Sequence, residues 1–217
     1  MKNLLKKELA LTASPLSYWF LGFFLLTFTP GYPILVGGFF LCLGLFQSFQ
    51  VGREANDVTY TALLPVKKTD VVRAKFAFCL AIEGAYFVLT AVATLLRMTA
   101  LADVTAYRQN ALMTANLCYL GWLLVVFGLF NAVFVGGFFK TAYKFAKPFS
   151  AFAVAAFVTV GVAETLIHIP GLSALNAFGF THFGVQVGVL LGGALVFAVL
   201  TGCSMKAAMK NFEKIDL

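Results

Sequence analysis

Six long apolar stretches dominate this sequence and restrict it to a fold that uses lipid as its solvent. They cover Pro15–Thr29, Ile34–Val51, Phe76–Leu96, Ala111–Phe139, Phe149–Ile167 and Phe183–Met205. A membrane-spanning helix needs about 20 mostly apolar residues. Hydrophobic residues make up 61% of the chain and charged residues only 12%, too little polar surface for a water-soluble domain. We predict an all-α membrane protein with six transmembrane helices in a single domain, residues 1–217.

The basic residues predict the orientation of these helices. Fourteen of the 16 Lys and Arg residues fall in segments that six alternating spans would place on one side, and only Arg97 and Arg108 fall on the other. Positive residues are retained in the cytoplasm, so both termini are predicted to be cytoplasmic, in a bacterial plasma membrane. The net charge of +7 is spread over short loops rather than one continuous basic face, which favours contact with anionic lipids over nucleic-acid binding.

The N-terminal segment, residues 1–14, predicts a helix that lies in the headgroup layer. Lys2, Lys6 and Lys7 occupy one arc of this helix and leucines the other, before the chain turns into the bilayer at Pro15. A frayed extension of the first span is the alternative.

The predicted cytoplasmic loop between the second and third spans, residues 52–75, is long enough to form structure of its own. Asn56 or Asp57 is placed to cap a short helix that Pro65 ends, and Thr69 is placed to cap the third span. A capped amphipathic helix at this position indicates a docking surface. A simple orientation signal is the alternative, but it would need only the charges.

This loop resembles the first cytoplasmic loop of bacterial ABC type-2 permeases. The resemblance rests on Asn56-Asp57, Leu64-Pro65-Val66, Lys67-Lys68, Asp70-Val71-Val72 and Lys75-Phe76. It implies a six-helix membrane subunit, similar to the permeases of phenol-soluble modulin and lantibiotic exporters, that pairs with a second copy or a sister permease. Two separate ATPase subunits would bind ATP and Mg²⁺, and this chain would bind no cofactor. The implied ATPase-docking residues are Asn56, Asp57, Tyr60, Leu63, Leu64, Pro65, Lys67, Lys68 and Asp70.

Two carboxylates fall inside predicted spans. Glu83 lies about two turns into the third span, and Glu164 lies near the outer end of the fifth. An unpaired charge in hydrocarbon costs several kcal/mol, so each is a candidate pathway or gating residue. The alternatives are a structural hydrogen bond to a neighbouring helix for Glu83 and snorkelling to the outer interface for Glu164.

Gly184, Gly188 and Gly192 place three small residues on one face of the sixth span, which favours close helix packing. We expect this packing to be internal, with a dimer seam as the alternative. The outer loop, residues 168–182, is apolar enough to re-enter the outer leaflet, as the resemblance also implies. Two histidines flank it, His168 and His182, but two ligands alone do not complete a zinc site.

No catalytic motif is present, and the chain lacks the phosphate-binding loop that cradles ATP. The four cysteines lie within apolar stretches and are expected to pack there. We therefore predict that this chain is not itself an enzyme. It would be the permease of an ATP-driven exporter of amphipathic peptides or hydrophobic compounds. The alternatives are a carrier that uses Glu83 for proton coupling and a non-transporting scaffold or sensor.

Overall fold

The computed structural model describes residues 2–141 and 144–215, and the regular structure within these residues is entirely helical. The α-helices are α1 (Lys2–Lys7), α2 (Pro15–Trp19), α3 (Val36–Glu54), α4 (Asp57–Leu63), α5 (Lys68–Met98), α6 (Thr105–Arg108), α7 (Leu117–Leu129), α8 (Gly136–Thr141), α9 (Ala146–Leu166) and α10 (Phe183–Glu213). π-Helical turns follow α1 (Glu8–Thr12) and α7 (Phe130–Val135), and 3-10 helices cover Phe20–Phe28 and Ser173–Asn176. The predicted all-α class is confirmed.

Four helical segments are long and apolar enough to cross a membrane: Lys68–Met98, Leu117–Lys140, Ala146–Leu166 and Phe183–Glu213. A fifth is added if the bent pair Asn3–Thr12 and Pro15–Phe28 is counted as one span. Helix α3 is also apolar over most of its 19 residues, but it ends in a polar segment that contains Gln47, Gln50 and Arg53. The count of six spans therefore stays a prediction.

The first apolar stretch compensates for its short length with an extended helical form. Pro15 occupies the first turn of α2, and the hydroxyl of Ser14 accepts a hydrogen bond from the Leu16 amide at 3.3 Å. After five α-helical residues the chain continues as a nine-residue 3-10 helix. A 3-10 helix rises about 2.0 Å per residue instead of 1.5 Å, so this segment covers about 26 Å, close to the thickness of the hydrocarbon core.

The N-terminal helices meet at an angle of 94° at the break before Pro15. This bend agrees with the predicted turn of the chain at that residue. Hydrogen bonds then fasten the segment to α3, since the Ser17 hydroxyl donates to the Gly44 carbonyl at 2.7 Å and the Ser14 amide donates to the Ser48 hydroxyl at 2.8 Å. The location of α1 in the headgroup layer stays a prediction.

Aromatic rings fill the interface between α3, the end of α7 and α9. Phe46 stacks on Phe149 with ring centroids 3.9 Å apart, and Phe134 meets Phe49 edge to face at 4.9 Å. Such pairs stabilise a contact beyond the area that they bury. A large share of the 25 phenylalanines therefore serves packing within the protein rather than contact with lipid.

Helices α7 and α10 approach each other through glycines that sequence analysis did not select. A Cβ atom on Gly193 would lie 2.2 Å from the Gly121 carbonyl oxygen, so the two backbones are in contact there. Gly184, Gly188 and Gly192 instead have no atom within 4 Å of the corresponding position. The expectation that this stripe packs internally is wrong, because the stripe lies on the side of α10 that faces away from the rest of the protein.

The helix ends sort into two groups, as the alternation of basic and neutral loops predicts. At the basic end, the Lys68 ammonium donates to the Ile215 carbonyl at 2.6 Å, and the Arg53 guanidinium lies 4.8 Å from the centre of the Phe145 ring. These contacts join the 52–75 loop to the C-terminus and to the segment before α9. We call the other end, which carries α6 and the 168–182 loop, the opposite end.

At the opposite end, the 168–182 loop contains one short 3-10 helix and packs against the chain before α7. The Asn116 side chain donates to the carbonyls of Leu175 and Ala177, each at 3.0 Å, and its oxygen caps α7 by accepting from the Tyr119 amide at 3.1 Å. Helix α7 thus begins at Leu117, later than the apolar stretch suggested, because Asn116 is its cap. Re-entry of this loop into the membrane stays a prediction.

The close approach at Gly193 makes a testable prediction for stability. Gly193→Ala should lower the stability of the purified protein by about 1–3 kcal/mol, because the new methyl group would overlap the Gly121 backbone and force α7 and α10 apart. Gly202→Ala is the control on the same helix, since nothing lies within 4 Å of its Cβ position. Thermal unfolding in detergent measures both variants. Equal unfolding temperatures for the two would contradict the α7–α10 contact.

Candidate functional site

Helix α4 begins without the side-chain cap that the sequence suggested. Asn56 occupies the N-cap position with a left-handed backbone (φ 51°) and makes no capping hydrogen bond. Asp57 is not a cap either, because its carboxylate is held by Lys7 at 2.6 Å and Lys75 at 3.5 Å. Two ammonium groups within reach offer charge-assisted bonds, which are stronger than a neutral cap.

The start of α5 also differs from the expectation. This helix begins at Lys68, and Lys67 occupies its N-cap position without a side-chain hydrogen bond, so the predicted cap at Thr69 is wrong. Thr69 falls inside the first turn, where its hydroxyl no longer precedes the free amides. Asp70 does lie in this first turn, where a negative charge is favourable, and pairs with Arg73 at 3.4 Å.

Four charged side chains from three helical segments form what we call the charged cluster: Lys7, Glu8, Asp57 and Lys75. The shortest of its contacts joins the Lys75 ammonium to the Glu8 carboxylate at 2.5 Å, and Lys7 reaches Glu8 at 3.1 Å. Glu8 is 1% exposed and Lys75 is 3% exposed. The two positive and two negative groups balance, so this end of α5 buries charge without leaving a net charge unpaired.

Hydroxyl groups complete the charged cluster. The Thr12 hydroxyl donates to Glu8 at 2.9 Å, and the Lys7 ammonium donates to the Thr61 hydroxyl at 2.7 Å. Burial lowers the pKa of Lys7, but its bonds to Asp57 and Glu8 raise that pKa by more, so the net pKa lies above the usual lysine value. Lys7 therefore remains protonated at neutral pH and holds α1 against α4.

The opposite side of α4 is apolar and faces away from the protein. Tyr60, Leu63 and Leu64 are 66%, 77% and 52% exposed, whereas Thr61 is buried against the charged cluster. We call these three side chains the α4 apolar face. Exposed large apolar groups gathered on one short helix are typical of an interaction surface. The charged cluster connects this surface directly to α1 and to the first turns of α5.

The remaining residues implied in docking lie around this face. Asn56, Pro65 and Lys67 are exposed, whereas Lys68 is directed to the end of α10 through its bond to Ile215. The structure therefore brings the nine residues into one segment but divides them into two groups. Asp57 and Lys68 attach the segment to the rest of the protein. The outer surface is formed by the exposed residues Asn56, Tyr60, Leu63, Leu64, Pro65 and Lys67.

Glu83 is fully enclosed and held by a residue that the sequence analysis missed. One carboxylate oxygen accepts a hydrogen bond from the Asn131 side-chain amide at 2.9 Å. Asn131 lies in the π-helical turn after α7. Its side-chain amide also donates to the Thr201 hydroxyl at 3.3 Å, and its backbone carbonyl accepts from the Ser204 hydroxyl at 2.9 Å. The sequence signal for this contact is an asparagine inside the fourth apolar stretch, because a polar side chain in a membrane helix needs a polar partner.

Glu164 has a structural contact at the opposite end. Its carboxylate accepts a hydrogen bond from the Met113 backbone amide at 2.9 Å, so it fixes the chain before α7. The bond gives Glu164 a partner within the protein, and its snorkelling to the outer interface stays a prediction. A gating role for this residue receives no support from its position.

Arg97 is buried, although the sequence placed it in an outer loop. Its guanidinium donates to the Thr27 carbonyl at 2.7 Å and lies 4.1 Å from the centre of the Tyr107 ring, and the Tyr107 hydroxyl donates to the Phe28 carbonyl at 3.0 Å. Both side chains thus satisfy carbonyls at the end of the 3-10 helix Phe20–Phe28, where a positive charge is favourable. No sequence pattern indicated this contact.

The described residues contain no group of three or more His, Cys, Asp or Glu side chains placed to hold a metal ion. His168 and His182 are exposed at the two sides of their loop.

The charged cluster makes a prediction about folding stability. Lys75→Met should destabilise the protein by about 3–5 kcal/mol, because it removes one partner of a buried ion pair and leaves Glu8 and Asp57 undercompensated. Arg73→Met is the matched control, since its pair with Asp70 is exposed and should contribute at most about 1 kcal/mol. Thermal unfolding of the purified variants measures the difference. Equal effects of the two substitutions would show that the charged cluster contributes no more than a surface ion pair.

Comparison with known proteins assigns the chain to a family. The family model described as ABC-2 family transporter protein matches residues 3–213. Searches of curated proteins and of solved structures found no significant match. The matched region extends over nearly the whole chain and includes the charged cluster, the α4 apolar face and Glu83. The chain therefore belongs to the ABC-2 family of transporter proteins and is a multi-pass membrane permease of the kind that associates with an ABC ATPase subunit.

Proposed function

We propose that this permease exports amphipathic peptides or hydrophobic compounds across a bacterial plasma membrane, driven by two copies of a separate ATPase that bind ATP and Mg²⁺. The observation that carries the proposal is the α4 apolar face, exposed on one side and fixed by the charged cluster on the other. An apolar surface on the basic end fits a groove of a soluble partner. Six spans and cytoplasmic termini complete the proposal.

The charged cluster provides the route by which docking would move the membrane helices. Closure of the ATPase pair would displace α4, and the bonds of Asp57 to Lys7 and Lys75 would transfer this displacement to α1 and α5. Helix α5 is a single helix of 31 residues, so a movement of its first turns reaches the opposite end of the protein. Rigid-body rocking between two packed states is a common form of such transitions.

The free side of α10 supports assembly into a permease dimer. Gly184, Gly188 and Gly192 are unobstructed, and Leu191 and Leu195 beside them are 64% and 66% exposed. Small residues four positions apart allow two membrane helices to approach closely. The partner in this proposal is a second copy or a sister permease.

The alternatives use the same residues differently. A proton-coupled carrier would transport without an ATPase and depend on Glu83, and a scaffold or sensor would bind a partner without transport. Neither alternative requires the α4 apolar face and the charged cluster to act together. Transport assays in vesicles with and without ATP and the ATPase subunit distinguish the three.

Docking is tested by truncating the α4 apolar face. Tyr60→Ala should weaken ATPase binding more than tenfold, since buried aromatic anchors contribute about 2 kcal/mol or more and each tenfold in affinity is about 1.4 kcal/mol. The double substitution Leu63→Ala, Leu64→Ala should act in the same direction. Export should be lost in parallel, while insertion into the membrane stays normal because every charged residue is retained.

Leu11→Ala is the control for docking, because Leu11 is also 77% exposed but lies outside α4. Co-purification of the ATPase subunit measures all variants. Retention of the ATPase at wild-type levels by both α4 variants would exclude this surface as the docking site.

The orientation is tested by cysteine labelling in a background without the four native cysteines. Lys67→Cys and Lys214→Cys should resist a membrane-impermeant thiol reagent in intact cells, whereas Asp103→Cys and Ser173→Cys should react. All four positions are exposed in the structure, so differences report the side of the membrane. Reaction of Lys67→Cys in intact cells would reverse the proposed orientation.

A further inference from the structure

A cavity of about 180 Å³ lies beside Glu83, between α5, α7 and α10. Three aromatic rings line it, from Phe87, Phe127 and Phe197, together with two leucines and the backbone of Gly84. Glu83 provides the charged group in this otherwise apolar lining.

The Glu83 carboxyl group is only half satisfied by the protein. Its Oε2 atom accepts the bond from Asn131, but its Oε1 atom is buried and has no hydrogen-bond partner. The Glu83 side chain is 1% exposed, and among the described residues no Lys or Arg forms a salt bridge with it. A buried carboxylate without a counter-ion is costly, so a ligand that supplies a positive charge would be strongly stabilised here.

The carboxyl group is also held in a fixed orientation. Thr201 and Ser204 on α10 bond the side chain and the backbone of Asn131, and Asn131 in turn positions Glu83. The π-helical turn that carries Asn131 departs from regular α-helix at this point, and such turns occur frequently at functional sites. A site with its polar group already oriented loses little entropy when a ligand binds.

The aromatic rings select the same type of ligand. The face of a phenyl ring attracts a cation, and recognition of alkylammonium groups commonly uses several rings around one charge. A neutral hydroxyl group would satisfy the Oε1 atom but would gain nothing from the rings. An anion would be repelled by the carboxylate.

The cavity reaches the outer surface of the protein beside Gly84. Gly84 is exposed, and no atom lies within 4 Å of the position where its Cβ would stand. Since one water occupies about 30 Å³, the cavity holds a volume of about six waters, enough for an ammonium group and its first carbon atoms. The rest of an apolar chain would leave through the gap beside Gly84 into lipid.

We propose that this cavity binds the ammonium group of a cationic amphiphile, with the carboxylate of Glu83 as its counter-ion and the three phenyl rings around it. The identification of this ligand as cargo rests on the proposed export function and narrows the cargo to compounds with a positively charged amine on an apolar body. The binding itself needs neither ATP nor the ATPase subunit.

The test uses the purified permease alone, in nanodiscs of the zwitterionic lipid phosphatidylcholine. Calorimetric titration with dodecyltrimethylammonium, corrected for empty nanodiscs, should show saturable binding, whereas dodecanol should show only partitioning into lipid. Glu83→Gln should weaken binding of the cation at least tenfold, because it retains the shape and removes the charge. Glu164→Gln is the matched control, since it neutralises the other carboxylate within the predicted spans and should leave the affinity unchanged.

A second variant keeps the test decisive if Glu83→Gln does not fold. Gly84→Leu should fold, since its side chain meets open space, and should also weaken binding at least tenfold because that side chain obstructs the cavity entrance. Equal binding of the cation and the alcohol, or wild-type affinity in both the Glu83→Gln and Gly84→Leu variants, would overturn the proposal. Since neither variant alters α4, ATPase co-purification reports separately on the proposed function.

Discussion

The ion pair between Lys75 and Glu8 is the interaction on which the arrangement of the basic end depends. It joins α5 to the N-terminal segment, and Lys7 and Asp57 extend it to α4. Because Glu8 and Lys75 are almost fully enclosed, each requires the other to remain buried at tolerable cost. The short helix α4 has seven residues and would not be stable alone, so its position follows from these charges.

A second constraint is the satisfaction of polar groups away from water. The structure uses long-range side-chain contacts for this purpose: Asn131 bonds Glu83, Arg97 bonds the Thr27 carbonyl, and Glu164 bonds the Met113 amide. Glu83 and Glu164 each keep one buried carboxylate oxygen without a partner, and among the described residues Glu83 also lines a cavity that reaches the surface beside Gly84. That combination separates a candidate binding group from side chains whose contacts explain their presence.

Part of the candidate site could be predicted from the sequence. The 52–75 loop was selected because it carries a helix-sized amphipathic segment ended by Pro65, and the structure places Tyr60 and Leu63 on its exposed side. The sequence predicts Asp57 only as a cap, because local spacing relates it only to residues near it in the chain. Its actual partners, Lys7 and Lys75, lie 50 and 18 residues away and could not be inferred from local spacing.

The helical class, the apolar stretches and the gathering of basic residues at one end follow from the amino-acid sequence alone, because hydropathy and charge along the chain specify them. Which small and polar residues meet depends instead on how the helices pack in three dimensions. Gly193 contacts Gly121 while the more regular stripe at Gly184, Gly188 and Gly192 stays free, and Glu83 meets Asn131. The physical reason is that helix rotation and close approach are set by packing between distant segments, which periodicity within one helix does not specify.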